Sequence, residues 1–149
     1  MVGIVKDGDR VALGKKAKGQ PPYPDVWHTP GGGTEDQNLA EDLFDEQDFD
    51  NEYFHGELKR EMKEELGVEI KNIKCITPQY RTSPREAETE DKNGEMTHYY
   101  FLEYLCGYAG GSLQPADDLA EAKWFTKKEL KDVSLTPPSQ EMYKELGWI

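Results

Sequence analysis

The sequence predicts an α/β fold in which a mixed β-sheet is covered by helices, and two patterns support this class. Short β-prone runs bounded by turn residues recur along the chain. Between and after them lie stretches whose apolar residues follow helical spacing. The expected order is β-β-α-β-β-β-α-α, which is typical of an α/β sandwich. All 149 residues are expected to form one domain with its own core.

Turn residues and β-prone runs define the strands. VGIVKDGDRVALGKK contains two runs joined at an Asp-Gly turn, and VWH leads into three glycines. NIKCITPQYR is predicted to be a strand that ends near Pro78, and SPREAETEDKNGE a charged loop with an Asn-Gly turn. MTHYYFLEYLCGY is the most β-prone stretch and is expected at the centre of the sheet. AKWF is a last short strand.

Helices are predicted from apolar spacing and from residues that favour helix ends. Residues 53–66 form an amphipathic helix, and Gly67 suits the position just after its end. TKKEL is expected to form one helical turn capped by Thr126. LTPPSQEMYKELG is expected to form a helix capped by Ser139.

The helix at residues 53–66 carries an unusual stripe of acidic residues. Glu61, Glu64 and Glu65 fall within about 100° of the helix surface, and Glu57 lies inside the same stripe. Like charges at this spacing oppose helix formation. Taken by itself, the sequence of this helix favours the interpretation that the stripe is a solvated acidic face. The alternative is that the stripe binds a divalent cation such as Mg²⁺. Glu57 itself is expected to be solvated.

Composition and charge limit the partners and the compartment. The net charge of −12 argues against binding to nucleic-acid backbones or anionic membranes, so neither is expected as a partner. The sequence shows no signal peptide and no run long enough to span a membrane. Cys75 and Cys106 lack metal-ligand spacing and are expected to be buried free thiols, with a disulfide the less favoured alternative. These features predict a cytoplasmic protein.

The acidic helix and the glycine run together resemble the signature of the Nudix hydrolases, G-x5-E-x7-R-E-U-x-E-E-x-G-U, where U is a bulky aliphatic residue. The stretch from Glu52 to Val68 matches the second part at every fixed position, and Gly32 corresponds to the first glycine. Nineteen residues separate Gly32 from Glu52, where the family has five. The chain therefore carries a 14-residue insertion within about residues 36–51.

The resemblance implies a Nudix-type α/β/α sandwich and a reaction. That reaction is Mg²⁺-dependent hydrolysis, with Mn²⁺ as an alternative ion, of a pyrophosphate bond in a nucleoside diphosphate linked to another group. The substrate would be a nucleoside triphosphate, ADP-ribose, a nucleotide sugar or a dinucleoside polyphosphate. The protein would be a monomer or homodimer with a small-molecule nucleotide as its partner. A non-catalytic Nudix-like nucleotide-binding module is the alternative, disfavoured because the chain keeps every glutamate of the signature.

The resemblance also assigns roles to residues. The implied metal ligands are Glu61, Glu64, Glu65 and the carbonyl of Gly31. Arg60 would orient a catalytic carboxylate, and Glu64 is the best candidate for the catalytic base within the helix. Glu52 would support the site, through water on a metal or through Arg60. Further candidates outside the helix are Asp118 and Glu121 in a later loop, His28 facing the cleft and Tyr23 stacking on a base.

The insertion holds seven acidic residues and four apolar ones, and residues at its start favour a short amphipathic helix. In one arrangement the segment folds outward, away from the site. Its apolar side chains then pack on the domain or on a second subunit; these are Leu39, Leu43, Phe44 and Phe49. The other makes the segment a lid whose carboxylates bind further Mg²⁺ through water. The outward arrangement is favoured because four apolar side chains need burial.

Overall fold

The computed structural model describes residues 1–20, 23–91 and 93–149 of the chain. Its strands are β1 (Val2–Asp7), β2 (Arg10–Lys16), β3 (Trp27–His28), β4 (Val68–Cys75), β5 (Arg85–Glu90), β6 (Met96–Phe101), β7 (Glu103–Gly111) and β8 (Leu119–Thr126). Its helices are α1 (Gln37–Asp45), α2 (Glu52–Leu66), α3 (Thr77–Tyr80) and α4 (Pro137–Glu145), with a 3-10 helix at Glu129–Asp132. Strands and helices are thus mixed along the chain, as the predicted class requires.

The main sheet is mixed and has the order β3-β2-β1-β7-β4, with β8 paired along β2. Strands β1 and β7 run parallel, with Ile4 beside Leu105, and the other pairs are antiparallel. Strands β5 and β6 form a separate two-stranded hairpin. The predicted mixed sheet is therefore confirmed.

The side chains of β1 alternate between two apolar cores, one on each face of the sheet. Val5 packs in the core that α2 completes with Leu58 and Met62. Ile4 packs in the opposite core, which includes Tyr143 of α4. Helices therefore cover both faces, and the predicted helix–sheet–helix sandwich is confirmed.

Helix α2 begins one residue earlier than predicted and ends where Gly67 predicts. The side chain of Asn51 accepts a hydrogen bond from the N–H of Tyr53, which satisfies a free donor of the first turn. Gly67 takes a φ of 68° and closes the helix in the left-handed conformation. Leu58 and Met62 are completely buried, so the apolar stripe faces the sheet as expected. This packing fixes the direction of the acidic stripe beside it.

The charged loop expected from SPREAETEDKNGE is wrong, because residues 85–90 form strand β5. Glu88 lies opposite His98 of β6, and Gly94 turns the chain with a φ of 79°. The charged residues of β5 give no hydrophobic pattern from which a strand could be predicted, because much of this hairpin is solvent-exposed. Lys92, which belongs to the same predicted loop, lies outside the described residues.

Two further strand predictions need correction. MTHYYFLEYLCGY is not one strand: the run breaks at Leu102, β6 joins the hairpin, and β7 alone lies centrally in the main sheet. The strand predicted over NIKCITPQYR ends at Cys75 and is followed by α3. Pro78 lies in the first turn of that helix, where its missing N–H costs nothing.

The cap of α4 is Thr136, so the prediction of Ser139 is wrong. Pro137 suits the first helical position and allows the helix to begin earlier. Ser139 is buried, and its hydroxyl accepts the N–H of Thr29 at 2.9 Å. The predicted cap by Thr126 is also wrong, because the 3-10 helix begins after Lys128, although the hydroxyl of Thr126 accepts the N–H of Glu129 at 3.3 Å.

Two predictions from composition can be compared with the structure. Cys75 and Cys106 are both buried and both free, as expected. Among the described residues, no helix combines the length and the apolar character needed to cross a bilayer.

Candidate active site

A cleft of about 880 Å³ opens between the glycine turn, α1, the β5–β6 hairpin and the start of α4. Its volume is within the range of small-molecule sites. Glu65 of α2 and the three glycines Gly31, Gly32 and Gly33 line one part of it. The fold therefore brings the glycine turn and the acidic helix to a common cavity.

Two residues of the glycine turn have no room for a side chain, Gly32 because of the acidic helix and Gly31 because of the backbone at the start of the chain. A Cβ on Gly32 would lie 2.3 Å from the carboxyl carbon of Glu61, and one on Gly31 would lie 2.0 Å from the carbonyl oxygen of Met1. A Cβ on Gly33 would meet only open space. The N–H of Gly31 donates to the Glu65 carboxylate at 3.4 Å. The turn thus presses its backbone against both carboxylates.

Glu61 and Glu65 form a close pair of poorly solvated carboxylates. The side chain of Glu61 is 14% exposed, and Glu65 as a residue is 9% exposed. Burial, and next the charge of Glu61, raises the pKa of Glu65 to about 8, against the opposing hydrogen bond from Gly31. Burial also raises the pKa of Glu61, although Arg60 opposes that shift. Two such carboxylates favour a bound cation.

Arg60 is the centre of an ion-pair network on the same face of α2. It lies 3.0 Å from both Glu61 and Glu64 and 3.1 Å from Glu57. The hydrogen bond to Glu57 is the largest cause of its raised pKa. Arg60 is therefore placed to fix the orientation of the carboxylates around it.

The expectation that Glu57 is solvated is wrong. Its side chain is 12% exposed and accepts hydrogen bonds from Arg60 and from the backbone N–H of Glu35 at 2.8 Å. Glu35 also approaches Arg60 at 3.6 Å. Glu57 therefore ties the glycine turn to the helix. The acidic stripe signalled Glu57, whereas nothing in the sequence signalled Glu35.

The two remaining candidate site residues of α2, Glu64 and Glu52, lie in different surroundings. Glu64 has a side chain that is 57% exposed and held by Arg60. Glu52 is exposed at the start of α2, about 12 Å along the helix axis from Arg60. Because Arg60 pairs with four nearer carboxylates, the structure does not bring Glu52 to it. A role for Glu52 through water stays a prediction.

Of the two acidic candidates predicted in a later loop, Asp118 lies in the turn before β8 and Glu121 lies within β8, and the structure brings only Asp118 near the helix. Asp118 pairs with Lys16 at 3.2 Å, and both act on Glu65, Asp118 raising and Lys16 lowering its pKa. Glu121 instead pairs with Lys15 at 3.0 Å, and Lys15 lies over the ring of Trp27, part of the opposite core. Glu121 is thus not brought together with the other candidates.

His28 and Tyr23 both line the cleft. The Nδ1 atom of His28 lies 3.1 Å from the carbonyl oxygen of Thr29, and its buried Nε2 has no hydrogen-bond partner among the described residues. Burial lowers the pKa of His28, so a neutral ring that donates through Nδ1 leaves Nε2 as an acceptor. Tyr23 is 38% exposed and has a φ of 55°.

The segment of residues 36–51 forms one wall of the cleft through α1. Leu43 and Phe49 pack against the core beneath α2, as the favoured arrangement expected. That arrangement is wrong in turning the segment away from the site, because Glu41 and Phe44 line the cleft. Leu39 is 39% exposed and is not needed for the packing. The helix serves both the core and the cleft because Ala40 and Phe44 lie at the boundary, packing on the core and lining the cavity.

The site suits a divalent cation, although no ready-made cluster of three metal-ligating side chains occurs in the described part of the chain. Glu61 and Glu65 supply two carboxylates beside the glycine turn. The Gly31 carbonyl accepts none of the hydrogen bonds found among the described residues, so it is free to be a third oxygen ligand. Mg²⁺ is usually held by one or two carboxylates together with waters and substrate phosphates. The donor set therefore fits this ion.

Comparison with known proteins agrees with this fold and site. The NUDIX domain family model matches residues 1–146, and the chain belongs to that family. The resemblance found in the sequence is confirmed.

Relatives of known name or structure lie at moderate to low identity. The NAD-capped RNA hydrolase NudC of Pseudomonas putida is 29% identical over 132 residues, which is 87% of this chain. The match spans only 37% of that relative's length. Mutator MutT protein from Bacillus halodurans is 21% identical with a TM-score of 0.65, over 96% of this chain and 77% of its own. An ADP-ribose pyrophosphatase from Streptococcus suis is 14% identical with a TM-score of 0.56, over 99% and 84%. These two structures support the fold alone.

The crowding at Gly32 leads to a prediction with a built-in control. Gly32→Ala should lower kcat by about 10- to 100-fold, because the new methyl group must displace the Glu61 carboxylate. Gly33→Ala, whose Cβ meets nothing within 4 Å, should stay within about two-fold of the parent. Steady-state hydrolysis of a common nucleotide substrate checks both. Equal losses in the two variants would show that the contact with Glu61 is unimportant.

Proposed function

We propose that the protein uses Mg²⁺ to hydrolyse a pyrophosphate bond in a nucleoside diphosphate linked to another group. The observation that carries the proposal is the pair of Glu61 and Glu65 held against the glycine turn beside a nucleotide-sized cleft. Glu61, Glu65 and the carbonyl of Gly31 would hold the ion, with Glu64 as a further ligand. Mn²⁺, which also prefers oxygen ligands, would substitute for it.

The side chains of α2 have distinct roles in this proposal. A bound metal ion would neutralise phosphate oxygens and lower the pKa of a water molecule. Arg60 holds Glu61 and Glu64 in place through its two 3.0 Å contacts. Glu64 is our candidate for the base that accepts the proton of the attacking water. Asp118, near Glu65, is the alternative, because its carboxylate is already placed beside the pair.

The substrate belongs to one of four groups: nucleoside triphosphates, ADP-ribose, nucleotide sugars or dinucleoside polyphosphates. ADP-ribose and NAD-type dinucleotides receive support from the names of the two relatives that act on related compounds. The net charge of −12 favours a small nucleotide over the backbone of a nucleic acid. His28 and Tyr23 would contact this substrate from the cleft wall.

A panel of nucleotides tests the proposal. The purified protein is incubated with one member of each group, with Mg²⁺, with Mn²⁺ or with EDTA, and nucleoside monophosphate release is measured. We expect Mg²⁺-dependent release from at least one compound. Parallel reactions with Glu61→Gln control for contaminating hydrolases. Release that continues in EDTA, or that is equal in the variant, would contradict the proposed site.

Binding of Mg²⁺ should also stabilise the folded protein. The ion binds only the folded state, so the melting temperature should rise by about 3–6 °C at ten times the Kd. Differential scanning fluorimetry checks this, with NaCl at equal ionic strength as the control. An identical rise in NaCl would mean simple screening. Glu65→Gln should remove most of the difference between the two salts.

A further inference from the structure

Helix α1 is a fixed wall of the cleft because contacts hold its segment at both ends. At the start, the N–H of Asp36 donates to the hydroxyl of Tyr53 at 2.8 Å. At the end, the hydroxyl of Tyr104 donates to the carbonyl of Phe49 at 2.5 Å, and the side chain of Asp50 accepts the N–H of Cys75 at 2.7 Å. The side chains that α1 turns toward the cleft are therefore held in position.

Two aromatic residues from different elements meet on this side of the cleft. The ring of Phe44 on α1 lies 5.1 Å from the ring of Tyr100 on β6, and both residues line the cavity. Tyr100 is 52% exposed, which leaves much of its ring uncovered. Exposed aromatic rings at the edge of a cleft offer a flat ligand a surface to stack on.

The charges beside these rings are negative. Glu41 and Asp45 lie one helical turn apart on α1, next to Phe44, and both are exposed and line the cleft. The ring of His98 lies 5.0 Å from that of Tyr100 at a tilt of 55°, and its Nε2 atom lies 3.2 Å from the carboxylate of Glu86. Of the described residues that line the cleft, Lys16 is the one lysine or arginine, and it pairs with Asp118.

This wall therefore repels phosphate and attracts positive charge. The faces of aromatic rings attract cations, and nearby carboxylates add to that attraction. A nucleotide that places its pyrophosphate at the glycine turn would best present to α1 a ring without negative charge. A ring that is itself positive gains from both the stacking surface and the carboxylates.

We propose that Phe44, Tyr100, Glu41 and Asp45 form a subsite for a positively charged heteroaromatic ring of the substrate. This inference rests on the proposed function and specifies its substrate class. Two kinds of nucleotide carry such a ring: pyridinium nucleotides and nucleotides with an N-methylated purine. Their shared chemistry is a flat cation linked to a pyrophosphate or polyphosphate.

Pairs of substrates that differ in ring charge test the subsite. NAD⁺ is compared with NADH, and the dinucleotide m7GpppA with GpppA, by kcat/KM at saturating Mg²⁺. ADP-ribose has the pyrophosphate but no second heteroaromatic base, so its kcat/KM measures hydrolysis without a ring in the subsite. We expect the cationic member of at least one pair to be favoured by about 5- to 30-fold. The pair that shows the preference identifies the kind of ring.

Substitutions in α1 test whether the preference for the cationic ring depends on the carboxylates of this helix. The double variant Glu41→Gln/Asp45→Asn should reduce the ratio of kcat/KM values to below about two-fold. The matched control is Asp42→Asn/Glu46→Gln, which removes two exposed carboxylates of the same helix segment that do not line the cleft. Tyr100→Leu should lower the ratio by removing the exposed ring, and circular dichroism verifies the fold of each variant.

The outcomes separate this inference from the proposed function. If ADP-ribose or another panel nucleotide is hydrolysed while both ratios are near one, the subsite is overturned and the reaction stands. If the control variant lowers the ratio as much as Glu41→Gln/Asp45→Asn, the preference reflects overall charge and the subsite is again overturned. If no compound is hydrolysed, the proposed function fails. The ratio of the Kd values for NAD⁺ and NADH, measured by calorimetry in EDTA, then tests the subsite independently of hydrolysis.

Discussion

Glu65→Gln should lower kcat by about a thousand-fold and leave the protein folded. Glutamine keeps the shape of the side chain and removes the charge that would hold the metal ion. A metal ion supplies several kcal/mol of transition-state stabilisation, and about 4 kcal/mol corresponds to a thousand-fold in rate. Because burial raises the pKa of Glu65 to about 8, this side chain is mostly uncharged at neutral pH in the metal-free protein, so a neutral glutamine should melt no lower than the parent in EDTA.

Steady-state kinetics over a range of Mg²⁺ concentrations checks this prediction. Glu61→Gln should behave like Glu65→Gln, and Glu64→Gln should also lose activity if Glu64 is the base. Glu69→Gln is the control, because Glu69 is exposed and pairs only with Lys63 among the described contacts. If Glu64→Gln and Glu65→Gln both kept near-normal turnover at saturating Mg²⁺, the assignment of the site to α2 would be wrong.

What could be predicted from the sequence is mostly local. Helix α2 depends on its own apolar stripe and on the caps at Asn51 and Gly67, so its bounds and its acidic face follow from neighbouring residues. The burial of Glu57 does not follow from the helix pattern, because it depends on the backbone of Glu35, 22 residues earlier in the chain. Spacing on the helix predicts which carboxylates share a face but not which of them a distant loop will cover.

The cleft walls depended on contacts that no local pattern shows. Residues 36–51 contain a helix as expected, but its orientation depends on Tyr53, Cys75 and Tyr104, which lie in other elements. The hairpin was missed for a related reason. Strand β5 has few apolar residues, and its first residue, Arg85, bonds to carboxylates 18, 56 and 60 residues away. Ion pairs over such distances leave no periodic signal in the sequence.

At pH 9, Arg85→Met should destabilise the protein by about 3–5 kcal/mol, because it leaves a buried ionised carboxylate without its partner. The side chains of Arg85 and Glu103 are 4% and 2% exposed and lie 2.9 Å apart. The other oxygen of Glu103 is buried and has no hydrogen-bond partner among the described residues. Arg85 also bonds to Glu141 and Glu145, so one guanidinium connects the hairpin to β7 and α4.

Urea unfolding at several pH values checks this prediction. Burial, followed by the charges of Glu145 and Glu141, raises the pKa of Glu103 to about 8. A raised carboxyl pKa means that the free energy of unfolding decreases as the pH rises from the unfolded value of about 4.3 through about 8. The loss caused by Arg85→Met should therefore be larger at pH 9 than at pH 6. The control Arg81→Met, whose partner Glu145 is 35% exposed, should cost no more than about 1 kcal/mol.

A double variant separates the cost of an unpaired charge from the loss of packing. Arg85→Met combined with Glu103→Leu removes both members of the buried pair and should recover most of the stability, because apolar side chains often replace such pairs at little cost. If the double variant stays as unstable as Arg85→Met, the bonds to Glu141 and Glu145 carry the stability instead. The hairpin would then be held to the domain mainly through α4, and a substrate preference that depends on Tyr100 should weaken along with those bonds.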